Sequence, residues 1–138
     1  MCFAATSPYS GGNVIAGNTR GVDQGTGTTS VTILGGVFGL SPSGNATRGN
    51  GPWNARLGGS DTFGGGAFVQ GATFGPAETG LELVGPRPNV LSSVFMSPDS
   101  ARFTKAAIHV APGGDGATIG TDDAAPFLPG CVQLIDTC

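Results

Sequence analysis

The sequence predicts an all-β fold, an antiparallel β-sandwich or barrel with long Gly-rich loops and an extended N-terminal arm. Three observations predict it. Glycine takes 26 of 138 positions, against a usual share near ~7%. Charged residues make up only 11% of the chain, where ~25% is usual, too few for the solvated faces of a helical bundle. Short β-branched and aromatic runs alternate with Gly or Pro breaks at a spacing of about ten residues, the pattern of sandwiches and barrels. No solenoid period repeats cleanly.

Val, Ile, Leu and Phe supply about 22% of the residues and the net charge is only −3. Disorder calls for fewer than roughly 20% of these residues together with high net charge. A thin core is therefore expected, of the kind that gains by burying more surface against copies of itself. Residues 1–29 are small, polar and glycine-punctuated, and beyond Tyr9 only Val14, Ile15 and Val22 offer apolar bulk. They are predicted to form an extended arm, and residues 30–138 the β-sandwich domain.

The elements follow in order. Ser30–Leu34 and Val37–Leu40 flank Gly35-Gly36, which reads as a hairpin with a I′ or II′ turn, or as a bulge within one longer strand. Trp53–Leu57 follows a polar loop, and Gly58-Gly59-Ser60-Asp61 turns the chain. Phe68, Ala72 and Phe74 share one face of an extended segment, and Leu81-Glu82-Leu83 alternates. Asn89–Met96 reads as one strand buried on both faces. Residues 103–110 fit a helical stripe and a strand equally well; the Ala-Pro ending favours a turn at Ser97–Ser100 and a strand through Val110. Ala117–Gly120 and Val132–Ile135 complete the set.

Composition excludes several classes. Arg20, Arg48, Arg56, Arg87, Arg102 and Lys105 are scattered without a run of two, so the clustered cations of a nucleic-acid interface are missing. No apolar run reaches the ~20 residues of a membrane span, and the start has no basic, apolar signal-peptide pattern. A product made in a host cytoplasm is expected. Cys131 and Cys138 are candidates for a terminal disulfide loop, or Cys2 for an intermolecular bridge, and three ordinary thiols are the alternative. His109, the lone histidine, has no cysteine at metal-finger spacing.

No motif points to catalysis. There is no phosphate loop and no Gly-x-Ser-x-Gly elbow. Gly113-Gly114-Asp115-Gly116 resembles one unit of a calcium-binding glycine–aspartate repeat, but it occurs once and Thr118 stands at the expected aspartate. A turn is the better reading, and no catalytic, cofactor or metal residue is assigned. Trp53 is a ring for the core or an interface, or for stacking on a sugar.

Ala107-Ile108-His109-Val110-Ala111-Pro112, then Ala117-Thr118-Ile119-Gly120-Thr121-Asp122-Asp123, then Pro126 through Ile135 with its Pro-x-x-Pro-Gly corner, form an ordered series. This series resembles the closing strands of small β-sandwich proteins of tailed-phage virions, of the capsid decoration (cement) or head-fibre type. Val31–Leu40 is similar to another strand pattern of that group, and Asn45 to Pro88 departs from it. The resemblance implies a non-enzymatic virion structural protein that binds and stabilises a bacteriophage capsid. It would associate with itself, as a homotrimer, and with the major capsid protein. Val14, Ile15, Trp53, Phe63 and Phe68 are the candidate interface residues. The alternatives are a subunit of an extracellular filament or surface layer, and a carbohydrate-binding module.

Overall fold

The computed structural model describes residues 13–24, 31–59 and 66–120, together with the backbone of a strand at 133–136. Among the described residues thirteen short strands follow one another: β1 (Val14–Ile15), β2 (Val22–Asp23), β3 (Thr32–Leu34), β4 (Val37–Phe38), β5 (Trp53–Leu57), β6 (Phe68–Gln70), β7 (Thr73–Phe74), β8 (Thr79–Leu83), β9 (Asn89–Leu91), β10 (Val94–Ser97), β11 (Ala106–Val110), β12 (Thr118–Ile119) and β13 (Gln133–Asp136). Every named strand pairs in parallel with the strand three places along the chain. The first sheet runs β1-β4-β7-β10-β13, the second β11-β8-β5-β2 and the third β12-β9-β6-β3. The chain visits the three sheets in turn and advances by one strand at each visit. This is a three-sided parallel β-solenoid.

The fold is therefore all-β as expected, but it is neither an antiparallel sandwich nor a barrel. The physical reason lies in the corners. At Gly35-Gly36 the chain leaves β3 and enters β4, but these strands do not pair with each other; each pairs with the strand of the next coil. The same two-residue corner recurs at Gly71-Ala72 and Ser92-Ser93. Its first residue has positive φ each time, 71°, 70° and 47°. Corners stack directly: Gly35 N–H donates to Gln70 O at 2.8 Å and Gly71 N–H to Leu91 O at 3.2 Å. Glycine there serves the same left-handed conformation a hairpin turn would need, which is why the two arrangements look alike in sequence. Likewise, Asn89–Met96 is two strands in two sheets, broken at Ser92-Ser93, and not one strand buried on both sides. Residues 106–110 are a strand, as favoured over the helix.

The residues predicted as an arm supply β1 and β2, which pair with β4 and β5. The core lies inside the solenoid as columns of like residues. Ile15, Phe38, Phe74 and Phe95 occupy one register line of the first sheet. Phe38, Phe74 and Phe95 stack, with ring centroids 4.9 Å apart at both steps and interplanar angles of 17° and 13°. The third sheet contributes Ile33, Val69 and Val90, and the second contributes Leu57, Leu81 and Leu83, all three fully buried. Parallel strands covered by the next coil read as apolar at equivalent positions, because each side chain meets its own counterpart one rung away.

A buried amide network holds the connections between the first and second sheets. Asn54 Nδ2 donates to Gly75 O at 2.6 Å, and Asn50 Nδ2 donates to Ile15 O at 2.7 Å and to Asn54 Oδ1 at 2.9 Å. Asn18 in turn donates to Asn50 Oδ1 through its backbone and side chain. Both Asn50 and Asn54 are completely buried, and satisfied amides at that depth fix one arrangement of neighbouring coils.

Candidate functional site

The outer face of the second sheet carries a column of charge. Asp23, Arg56, Glu82 and His109 occupy one register line on β2, β5, β8 and β11. Arg56 reaches Asp23 Oδ1 at 3.6 Å and Glu82 Oε2 at 3.0 Å. Glu82 Oε1 lies 3.2 Å from His109 Nδ1. Acidic and basic groups thus alternate from coil to coil, with Arg56 and Glu82 each bridging the two beside it. Arg20 adds a contact of 3.5 Å to Asp23, and the guanidiniums of Arg20 and Arg56 lie 5.9 and 5.2 Å from the Trp53 ring centroid, within cation–π range. Lys105 pairs with Glu78 on the same side, and that carboxylate holds the ammonium above its ordinary pKa.

The second notable feature is the end of the solenoid at β11 and β12. Val110 continues the register line of the fully buried Leu57 and Leu83, and Ile119 continues that of Ile33, Val69 and Val90. Yet Val110 is 43% exposed and Ile119 44%. They are core residues at the end of their columns, with no further strand paired beyond them among the described residues. At the opposite end Val14 is 42% exposed and Leu34 70%. The four exposed large apolar side chains of the described residues all sit in the terminal coils.

The candidate interface residues are not brought together. Val14 and Ile15 lie on β1 at the edge of the first sheet. Trp53 is half-buried beside the charged column, and Phe68 is half-buried on β6 in the third sheet. Phe63, Cys131 and Cys138 lie outside the described residues. Gly113 to Gly116 form a turn in which Asp115 O accepts a hydrogen bond from Arg87 N at 2.7 Å.

Sequence reasoning missed the charged column because its members stand 26 to 33 residues apart. A signal was present nonetheless: Ala55-Arg56-Leu57, Leu81-Glu82-Leu83 and Ile108-His109-Val110 are three apolar–polar–apolar triplets, each at the same place in its coil.

A carboxylate clasps two distant connections. Asp99 accepts from Thr47 N at 2.7 Å, Thr47 Oγ1 at 2.8 Å and Ala101 N at 2.9 Å. The bond from the Thr47 backbone, then that from its hydroxyl, holds the Asp99 carboxyl below its ordinary value of 3.8. A folded-state pKa below the unfolded one stabilises the fold above the unfolded value, and that contribution is lost as pH falls through the folded one. The stability difference between wild type and Asp99→Asn should therefore shrink as pH drops from about 5 towards 2, read from urea unfolding at a series of pH values. A difference that stays constant across that window would contradict the clasp.

Comparison with family models, with curated proteins and with solved structures finds no match to this chain.

Proposed function

We propose that this chain is a non-enzymatic structural protein of a bacteriophage virion, a decoration or cement subunit that binds and stabilises a capsid lattice. The observation that carries the reading is the ending of core columns on exposed apolar side chains, Val110 and Ile119. Such edges present backbone donors and acceptors beside apolar surface, and they invite another chain. The low charge of the sequence suits close approach to a neighbour. A solenoid of short, mutually stacked rungs is also a stiff element, as each coil buries the next.

Co-expression with the major capsid protein encoded in the same genome tests this. The chain should co-purify with the assembled particles at a fixed ratio, and its omission should lower the temperature at which they disrupt. Particles that neither incorporate the chain nor change in stability without it would contradict the proposal. A filament or surface-layer subunit is the second reading, favoured by the alternating charge that reaches both ends of the second sheet.

A further inference from the structure

We infer that the Asn50–Gly51 peptide is a self-modification site held shut by residues 13–24, and that its reaction makes release of that segment irreversible. The inference goes beyond the capsid reading and does not depend on it.

The chemistry is intramolecular and needs only water. Asparagine is a thermolabile residue, and here it precedes glycine, which has no Cβ to hinder attack by its own backbone nitrogen. Gly51 N gives its proton to solvent base and bonds to Asn50 Cγ. The Cγ–Nδ2 bond breaks and Nδ2 leaves as ammonia. Water then opens the cyclic imide at one of its two C–N bonds. The product is aspartate, or isoaspartate with the chain running through the former side chain.

In the folded chain every polar atom of the Asn50 side chain is engaged. Oδ1 accepts from Asn18 N at 3.1 Å and Asn18 Nδ2 at 3.0 Å. Nδ2 donates to Ile15 O at 2.7 Å and to Asn54 Oδ1 at 2.9 Å. The residue is completely buried, which keeps solvent base from the reacting atoms, and Nδ2 can leave only by giving up both its bonds. Three of the four bonds come from Ile15 and Asn18, so residues 13–24 are the closure. Their strands, β1 and β2, are two residues each and lie at the sheet edges among the described residues. Short edge strands with few buried contacts are where local opening is least costly.

Once the reaction has occurred the segment cannot close again. A carboxylate at position 50 offers only acceptors, and one of its oxygens then faces Ile15 O and Asn54 Oδ1. Turning the Asn54 amide over moves the clash to Gly75 O, to which Asn54 Nδ2 now donates at 2.6 Å. A buried charge without donors is strongly disfavoured. Isoaspartate also lengthens the backbone where Gly51 already lies against Thr19 O. The later coils stay paired, and β4 and β5 become an open edge.

The test uses the full-length chain. The tryptic peptide 49–56 reports conversion of Asn50 by mass spectrometry at mildly alkaline pH. Conversion should be at least about tenfold slower in native wild type than in chain unfolded by guanidinium, the factor being set by how rarely the segment opens. Native Asn18→Ala, which loses one of the closing bonds, should convert roughly two- to tenfold faster than native wild type. Asn50→Asp supplies the product directly. In hydrogen exchange it should lose protection at Val37 and Gly39, whose N–H groups donate to Asn13 O and Ile15 O, and keep it at Thr73, Gly75 and Val94. Equal rates in native and unfolded wild type, no conversion in the unfolded chain, or an Asn18→Ala rate no higher than wild type overturns the closure. Wild-type protection at Val37 and Gly39 in Asn50→Asp overturns the irreversible release, and loss of protection at all five amides overturns its confinement to residues 13–24.

Discussion

Phe74→Ala should lower the free energy of unfolding by about 3–5 kcal/mol. Phe74 is fully buried and sits in the middle of the aromatic stack, 4.9 Å from both Phe38 and Phe95. Truncation removes the transfer free energy of a whole ring and leaves a cavity between two other rings. Neither ring can close the gap, as each is carried on a strand hydrogen-bonded to β7. Stacked pairs also add about 0.5–1.5 kcal/mol beyond area burial, and this substitution breaks two. Urea unfolding followed by circular dichroism reads the effect. Phe103→Ala, at the margin of the cluster with a tilted contact of 6.4 Å to Phe95, should cost less. Equal losses at the two positions would contradict a continuous aromatic column.

Gly51→Ala should cost about 2–5 kcal/mol, by a different mechanism. Gly51 has φ +49°, and a Cβ there would stand 2.0 Å from Thr19 O and 2.9 Å from Thr19 C. The obstacle is backbone of the neighbouring coil, so no rotamer change relieves it. Gly17 is the internal control: its φ is +72° but nothing lies within 4 Å of a Cβ. Gly17→Ala should show the left-handed penalty alone, about 1–2 kcal/mol. The difference between the two variants isolates the close approach of coils. Identical losses would show that the coils are not in contact at this point.

The sequence made the strands legible and left their partners hidden. Trp53–Leu57, Leu81–Leu83 and the strand through Val110 follow from β-branched and apolar alternation, a local property. Pairing is not local. Equivalent strands of the first sheet begin at Val14, Val37, Thr73 and Val94, steps of 23, 36 and 21 residues, so no fixed period betrays the coil. The excess length sits in connections such as 39–52, between β4 and β5, which pack without lengthening the rungs. Two-residue glycine corners add to the ambiguity, since Gly35-Gly36 suits a hairpin as well as a solenoid corner. The charged column was hidden for the same reason: Arg56 and Glu82 become neighbours only once parallel pairing is known. The exposure of Val110 and Ile119 was beyond sequence reasoning, since both read as ordinary core residues and only the topology shows that their columns stop there.

The most direct test of the parallel solenoid is a nuclear Overhauser measurement on isotope-labelled protein. A hairpin at Gly35-Gly36 would make Leu34 and Val37 the hydrogen-bonded pair next to the turn and Ile33 and Phe38 the following non-hydrogen-bonded pair, whose Cα atoms lie about 4.5 Å apart and give a strong Hα–Hα cross-peak. The solenoid predicts no such cross-peak between Ile33 and Phe38, which lie on strands of different sheets. It predicts instead side-chain contacts along the line Ile33, Val69 and Val90, and along Phe38, Phe74 and Phe95. A strong Ile33–Phe38 Hα–Hα cross-peak, with those lines absent, would contradict the fold and every inference drawn from its columns.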